Sequence, residues 1–195
     1  YHVAGFGGTL VTVPYSDDHE DPDALLEAAR QHRPKLVFLA NPDNPMGSWH
    51  EAEVVADMIA RVPDGALLIL DEAYGEFAAA DTLPVMDASD PRVIRMRTFS
   101  KAYGMAGARI GYAIGHLDLI TAFNKVRNHF AVNRIAQAGA LHARGIGAAI
   151  GQREPRNAEP VQLAQSLCRA GDRIIAAQFA VGEDQRAIKV EHEAL

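Results

Sequence analysis

The chain has 195 residues, 48% of them apolar, with a formal net charge of −6. That is enough apolar surface for one real core, which excludes a disordered chain. The acidic balance gives no electrostatic reason to expect nucleic acid or an anionic membrane as a partner, and no apolar run reaches the roughly 20 residues that span a bilayer.

A single cysteine, Cys168, excludes an internal disulfide and fits a reducing compartment, so the expected location is the cytoplasm. The N-terminus, Tyr1 to Gly5, has neither a basic n-region nor a cleavage signature. It does not begin with methionine, as expected of a piece of something longer. The chain contains no internal repeat or low-complexity tract.

Gly8 to Pro14 is β-branched and bounded by glycine and proline, which predicts a strand. Asp21-Pro22 opens a helix, with Asp as cap, Pro in the first position and Leu25, Leu26 and Ala29 as the apolar stripe. Lys35 to Ala40 predicts a buried strand, followed by a turn over Asn41–Gly47 (NPDNPMG). Ser48 and Glu51 form a capping box for a helix that buries Val54, Val55, Met58, Ile59 and Val62. Further strands fall at Ala66 to Leu70, Val93 to Met96 and Arg109 to Gly115, and helices at Leu117 to Arg127 and Asn133 to Ile150. Strands alternating with helices predict an α/β protein: a layered α/β/α fold with a mostly parallel sheet. Ligands of such sheets bind outside the carboxyl ends of the strands. Asn44, Asp71 and Thr98 to Lys101 each follow a strand end, so three polar motifs converge on one edge.

The stretch Arg97–Tyr112 (RTFSKAYGMAGARIGY) carries the sharpest chemistry. Lys101 follows two hydroxyls in a small-residue loop, where its amine can form a Schiff base with a carbonyl cofactor. A solvated surface lysine would not need two glycines and a hydroxyl cluster. Arg109 presents a planar fork of donors suited to a phosphate, the alternative being a structural ion pair. Thr98 and Ser100 can donate to the same anion or cap the loop. Asp71 closes a buried strand, where a carboxylate is costly unless paired; a protonated pyridine nitrogen would pair with it, and a helix N-cap is the plainer role. Tyr74 could reach a phenolate on such a cofactor or be an ordinary half-buried aromatic. The amide of Asn44, held by flanking prolines, could donate to that same oxygen or simply shape the turn.

Together, NPDNPMG (Asn41–Gly47), LDEAYGEF (Leu70–Phe77), RTFSKAYGMAGARIGY (Arg97–Tyr112) and FAVN followed by AQ (Phe130–Asn133, Ala136–Gln137) resemble the fold-type I pyridoxal-phosphate aminotransferases, and within them the histidinol-phosphate aminotransferase group. The resemblance runs from about Tyr1 to about Ala143, and it implies a partial cofactor-binding large domain over 1–143. Residues 144–195 have no match and are expected to form a divergent helical tail. The resemblance implies pyridoxal 5'-phosphate as cofactor and Lys101 as its Schiff-base lysine. It puts Asp71 at the pyridine nitrogen, Tyr74 and Asn44 at the phenolate, and Thr98 or Ser100 with Arg109 at the phosphate. It further implies amino-group transfer between an amino acid or amine and a 2-oxo acid in a homodimer, with no metal. The family's N-terminal arm and early large-domain loop have no counterpart here. None of Arg153, Arg156, Arg169, Arg173 and Arg186 matches the family's substrate-carboxylate clamp. A decarboxylase of a phosphorylated amino acid and an inactive remnant share the same motifs. A generic nucleotide-binding module is disfavoured, because neither glycine-rich phosphate signature occurs.

Overall fold

The computed structural model describes residues 2–79, 81–126, 132–149, 174–179 and 188–192, with backbone alone for His2, 144–149 and the last two segments. After a single turn, α1 (His2–Gly5), come α2 (Pro22–His32), β1 (Leu36–Ala40), α3 (Ala52–Arg61), β2 (Leu67–Asp71), β3 (Val93–Thr98) and β4 (Gly111–Gly115). The chain continues with α4 (Leu117–Val126), α5 (Arg134–Ala149), β5 (Ile174–Phe179) and β6 (Ile188–His192). The six strands form one sheet in chain order.

Strands β1, β2 and β3 run parallel, so their carboxyl ends share one edge. The link from β3 to β4 holds only a 3-10 turn at Ala106–Ala108. Without a crossover helix the chain must turn straight back, and β4 lies antiparallel to β3. β5 and β6 extend the sheet in the same antiparallel sense.

Helices cover both faces. On one, Val37, Leu39, Leu68, Leu70 and Val93 pack against Leu26 and Ala29 of α2 and Val55 and Met58 of α3. Further along that face, Tyr112 and Ile114 meet Ala136, Ala140 and Ala143 of α5. On the other, Ile94 and Ala113 meet Ile120 of α4. The layering is the α/β/α arrangement that the strand–helix alternation predicts.

Helix starts follow local chemistry. The Asp21 carboxylate accepts from the N–H groups of Asp23 and Ala24, both at 3.0 Å, and Pro22 fills a position that needs no donor. At α5 the Asn133 side chain accepts from the Ala136 N–H at 2.8 Å. The expected ends of the last two helices, Arg127 and Ile150, lie outside the described residues, as do Phe130 and Ala131.

Four expectations change. Residues 8–14 join no ladder: Leu10 is 65% exposed, and β-branching alone cannot make a strand without a partner. β1 is an edge strand buried on one face only, with Leu36 and Phe38 open on the other. The Ser48–Glu51 capping box does not form. Helix α3 starts at Ala52 without a side-chain cap, because the Ala52 N–H finds the Asp81 carbonyl at 2.7 Å. Lastly, the expected helical tail contains β5 and β6. The outer edge of β4 offers an unpaired row of backbone groups, and the apolar Ile174–Phe179 segment docks there as a strand. The tail's Arg153, Arg156, Arg169, Arg173, Arg186 and Cys168 lie outside the described residues.

One-sided burial of β1 has a measurable consequence. Leu39→Ala, at a fully buried position, is expected to cost about 2–5 kcal/mol in chemical denaturation. Leu36→Ser, on the open face of the same strand, is expected to stay within about 0.5 kcal/mol.

Candidate active site

The turn after β1 is fastened from within. Asn41 is fully buried; its side chain donates to the carbonyls of His50 at 3.2 Å and Thr82 at 3.0 Å and accepts from the His50 N–H at 2.8 Å. Its backbone N–H reaches the Asp71 carbonyl at 2.9 Å, which ties the turn to β2. Inside the turn, Asp43 donates to the Ser48 carbonyl at 2.9 Å and Gly47 (φ 73°) donates to the Asp43 carbonyl at 3.2 Å. Asn44 projects from this frame, and its amide donates to the Tyr74 hydroxyl at 3.3 Å.

The Lys101 ammonium stands 5.0 Å from the centre of the Tyr74 ring, within range of a cation–π attraction. Asn44, Tyr74 and Lys101, which come from the loops after β1, β2 and β3, thus meet at one point. In the loop after β3, Thr98 Oγ1 accepts from the Ser100 N–H at 3.0 Å and donates to the Ile110 carbonyl at 3.5 Å. Its hydroxyl caps the loop. The Ser100 hydroxyl instead lies 3.3 Å from the Arg109 guanidinium, which also donates to the Ala106 carbonyl at 2.7 Å. Arg109 holds a left-handed backbone (φ 52°), so the loop turns sharply at the residue that presents the charge.

Asp71 ends β2, three residues before Tyr74. Its Oδ1 accepts from the Ala73 N–H at 3.0 Å. Burial pushes its carboxyl above the ordinary range; the Ala73 bond opposes this and Glu72 adds to it. A cation beside Asp71 would relieve that burden.

The structure adds residues that the motif reading left out. Glu72 is fully buried and bridges two arginines of β3, accepting from Arg95 Nε at 2.7 Å and Arg97 Nε at 2.8 Å. A second Arg95 N–H also reaches Glu72, and Arg95 donates to the Pro84 and Val85 carbonyls, both at 3.1 Å. The available signal was two arginines at alternate positions in VIRMRT, a strand otherwise apolar up to its closing Thr98, with acidic residues in LDEAYGEF as candidate partners. Glu20 accepts from the Ala40 N–H at 2.8 Å, and Tyr15 donates to Asp43 at 2.8 Å. Among the described residues, no cluster of His, Cys, Asp and Glu is placed to hold a metal ion.

The sequence profile of the family "Aminotransferase class I and II" matches residues 3–171, and the chain belongs to that family. The match runs past Ala143, into the segment where the resemblance had been expected to end. An aromatic amino acid aminotransferase of Nocardia farcinica is 43% identical over 139 residues, 68% of this chain and 38% of that protein. A histidinol-phosphate aminotransferase of Desulfotalea psychrophila is 37% identical over 145 residues, 71% of this chain and 38% of that protein. Among solved structures, histidinol-phosphate aminotransferase from Sinorhizobium meliloti in complex with pyridoxal-5'-phosphate superposes with a TM-score of 0.72 at 48% identity. That superposition covers 88% of this chain and 46% of that one. The chain therefore spans less than half the length of each of these relatives. No helix among the described residues is long and apolar enough to cross a membrane.

Glu20 gives the site a pH signature. Burial pushes its carboxyl up to about 7 from an ordinary 4.5; the Ala40 bond opposes the shift, and Asp43 and Asp71 add to it. An acid whose folded value is raised stabilises the fold while protonated and loses that contribution as pH climbs from 4.5 through 7. Glu20→Gln keeps an acceptor for Ala40 and cannot ionise. Its melting temperature should exceed that of the parent at pH 8, and the gap should close toward pH 4, as followed by calorimetry.

Proposed function

We propose that this chain carries the cofactor centre of a pyridoxal-phosphate-dependent aminotransferase, which moves an amino group between an amino acid or amine and a 2-oxo acid. The observation that carries the reading is the meeting of Asn44, Tyr74 and Lys101 at the carboxyl edge of three parallel strands. The donor set fits the cofactor group by group. Lys101 offers an amine for its aldehyde, and Asn44 and Tyr74 offer donors for its phenolate oxygen. Asp71 offers a carboxylate for the ring nitrogen; Ser100 and Arg109 offer donors for the phosphate, with Thr98 holding their loop. When bound, the cofactor supplies an electron sink.

The chain's own groups do the rest. Arg109 and Ser100 anchor the anion. Asp71 would be the counter-charge for a protonated ring nitrogen, and that pairing would lower its own raised pKa. The Lys101 amine would serve as the base and acid that moves a proton at the substrate carbon. For the donor we favour histidinol phosphate, supported by the Sinorhizobium likeness, with aromatic amino acids as the competing class supported by the Nocardia one. The role would then lie in histidine biosynthesis. The acidic charge and lone cysteine support a cytoplasmic protein, and the resemblance supports a homodimer.

The test is direct. Purified protein mixed with pyridoxal phosphate and treated with borohydride should carry a fixed cofactor on Lys101, seen by peptide mass spectrometry. Lys101→Ala should abolish it, and absence of the adduct from the parent would refute the reading. Asp71→Asn should still take up cofactor but transfer amino groups at least about 100-fold more slowly, the scale of losing one aligned charge interaction. Undiminished turnover by that variant would remove Asp71 from the mechanism.

A further inference from the structure

The segment before α2 is held at the site by an unusual arrangement. Ser16 and His19 exchange backbone hydrogen bonds at 2.9 and 3.0 Å around Asp17 and Asp18, both left-handed (φ 50° and 62°). This is the pattern of a tight hairpin turn, in which successive positive φ values match the twist of the two legs. Aspartate tolerates that conformation better than most residues. Each leg then sends a side chain to the end of β1. Tyr15 donates to the buried Asp43 carboxylate at 2.8 Å, and Glu20 accepts from the Ala40 N–H at 2.8 Å. The His50 ring adds a third tie, to the Glu20 carbonyl at 2.7 Å. The hairpin acts as a two-legged staple across the start of the NPDNPMG turn.

Asp43 and Asn44 are adjacent and point to opposite partners. Asp43 faces the staple, while Asn44 faces Tyr74 at 3.3 Å. A grip on the Asp43 side limits how far Asn44 can swing on the other. The hydrogen bond to Asp43 holds the phenol of the partly exposed Tyr15 up at about 12, with desolvation and the charges of Asp43 and Glu20 adding to it, so Tyr15 stays a donor throughout the range in which an enzyme works. We propose that Tyr15 and Asp43 are positioning residues, whose phenol–carboxylate bond sets Asn44 at bonding distance from Tyr74. The inference rests on the reading of Asn44 and Tyr74 as partners of the cofactor's phenolate oxygen. It adds two residues that act only through Asn44.

The experiment uses the cofactor-loaded protein and reads the pH midpoint at which the visible absorption of the bound cofactor changes. A donor on the phenolate oxygen sets that midpoint. Asn44→Ala should displace it. Tyr15→Phe should displace it in the same direction by a smaller amount, and Asp43→Asn, which keeps an acceptor for Tyr15, should lie nearer the parent than Asp43→Ala. In the Asn44→Ala background, Tyr15→Phe should add no further displacement, since the coupling runs through Asn44. An unmoved midpoint in Tyr15→Phe, or full additivity in the double variant, overturns the inference and leaves the proposed function standing. Should the parent take up no cofactor, that function fails, and the cofactor-free protein decides the inference. Exchange of the Asn44 side-chain amide hydrogens should then rise about threefold in Tyr15→Phe, as expected for weakening one net hydrogen bond, and unchanged exchange overturns it.

Discussion

The site depends on one buried carboxylate. Glu72 has no exposed surface and meets both Arg95 and Arg97. It lies between Asp71 and Tyr74 in sequence, while Arg97 precedes Thr98 and the Lys101 loop. The ion cluster therefore fixes the segment after β2 against the end of β3, which sets where Asp71 and Lys101 stand relative to each other. Removing one member of such a cluster leaves a buried charge uncompensated, at about 3–5 kcal/mol. A hydrophobic replacement could hold the strands together equally well. It could not hold them at a directed angle, which three hydrogen bonds from two planar guanidinium groups do.

Much of this was legible in the residues, for identifiable reasons. β1, β2 and β3 are short apolar runs bounded by polar turns, and the parallel rule sends the residues that follow them to a shared edge. Asn44, Tyr74 and Lys101 meet there because each follows its own strand. What failed were inferences that ignore partners. Gly8–Pro14 has the composition of a strand but no ladder to join, and the Ser48 cap lost to a carbonyl contributed by residue Asp81, far along the chain. The helical reading of the tail failed for the converse reason: the open edge of β4 rewards a strand there whatever the local periodicity. The Glu72 cluster went unseen because its partners lie 23 and 25 positions away, so two arginines at alternate positions of β3 do not by themselves name the acid they meet.

The two poles of the site have opposite electrostatic character. Around β1 and β2, Glu20, Asp43 and Asp71 lie close enough that Asp43 and Asp71 both raise the Glu20 carboxyl. Around the β3–β4 loop stand Lys101 and Arg109. A ligand with an anion at one end and a basic nitrogen at the other would lie along this gradient in a single orientation.

Preorganisation at the cationic pole separates this loop from a merely basic surface. The Arg109 guanidinium is already committed to the Ala106 carbonyl at 2.7 Å and to Ser100 at 3.3 Å, and its backbone sits in a conformation that few side chains adopt without strain. Thr98 locks the Ser100 N–H, and the Lys101 carbonyl accepts from Gly104 (φ 67°) at 2.9 Å, closing the turn behind the amine. Little side-chain freedom remains to be lost when an anion arrives, so more of each charged contact survives as binding. A lysine in place of Arg109 would keep the charge and lose the fork that reaches Ala106 and Ser100 together. The anion would then meet a mobile ammonium in place of a prearranged fork.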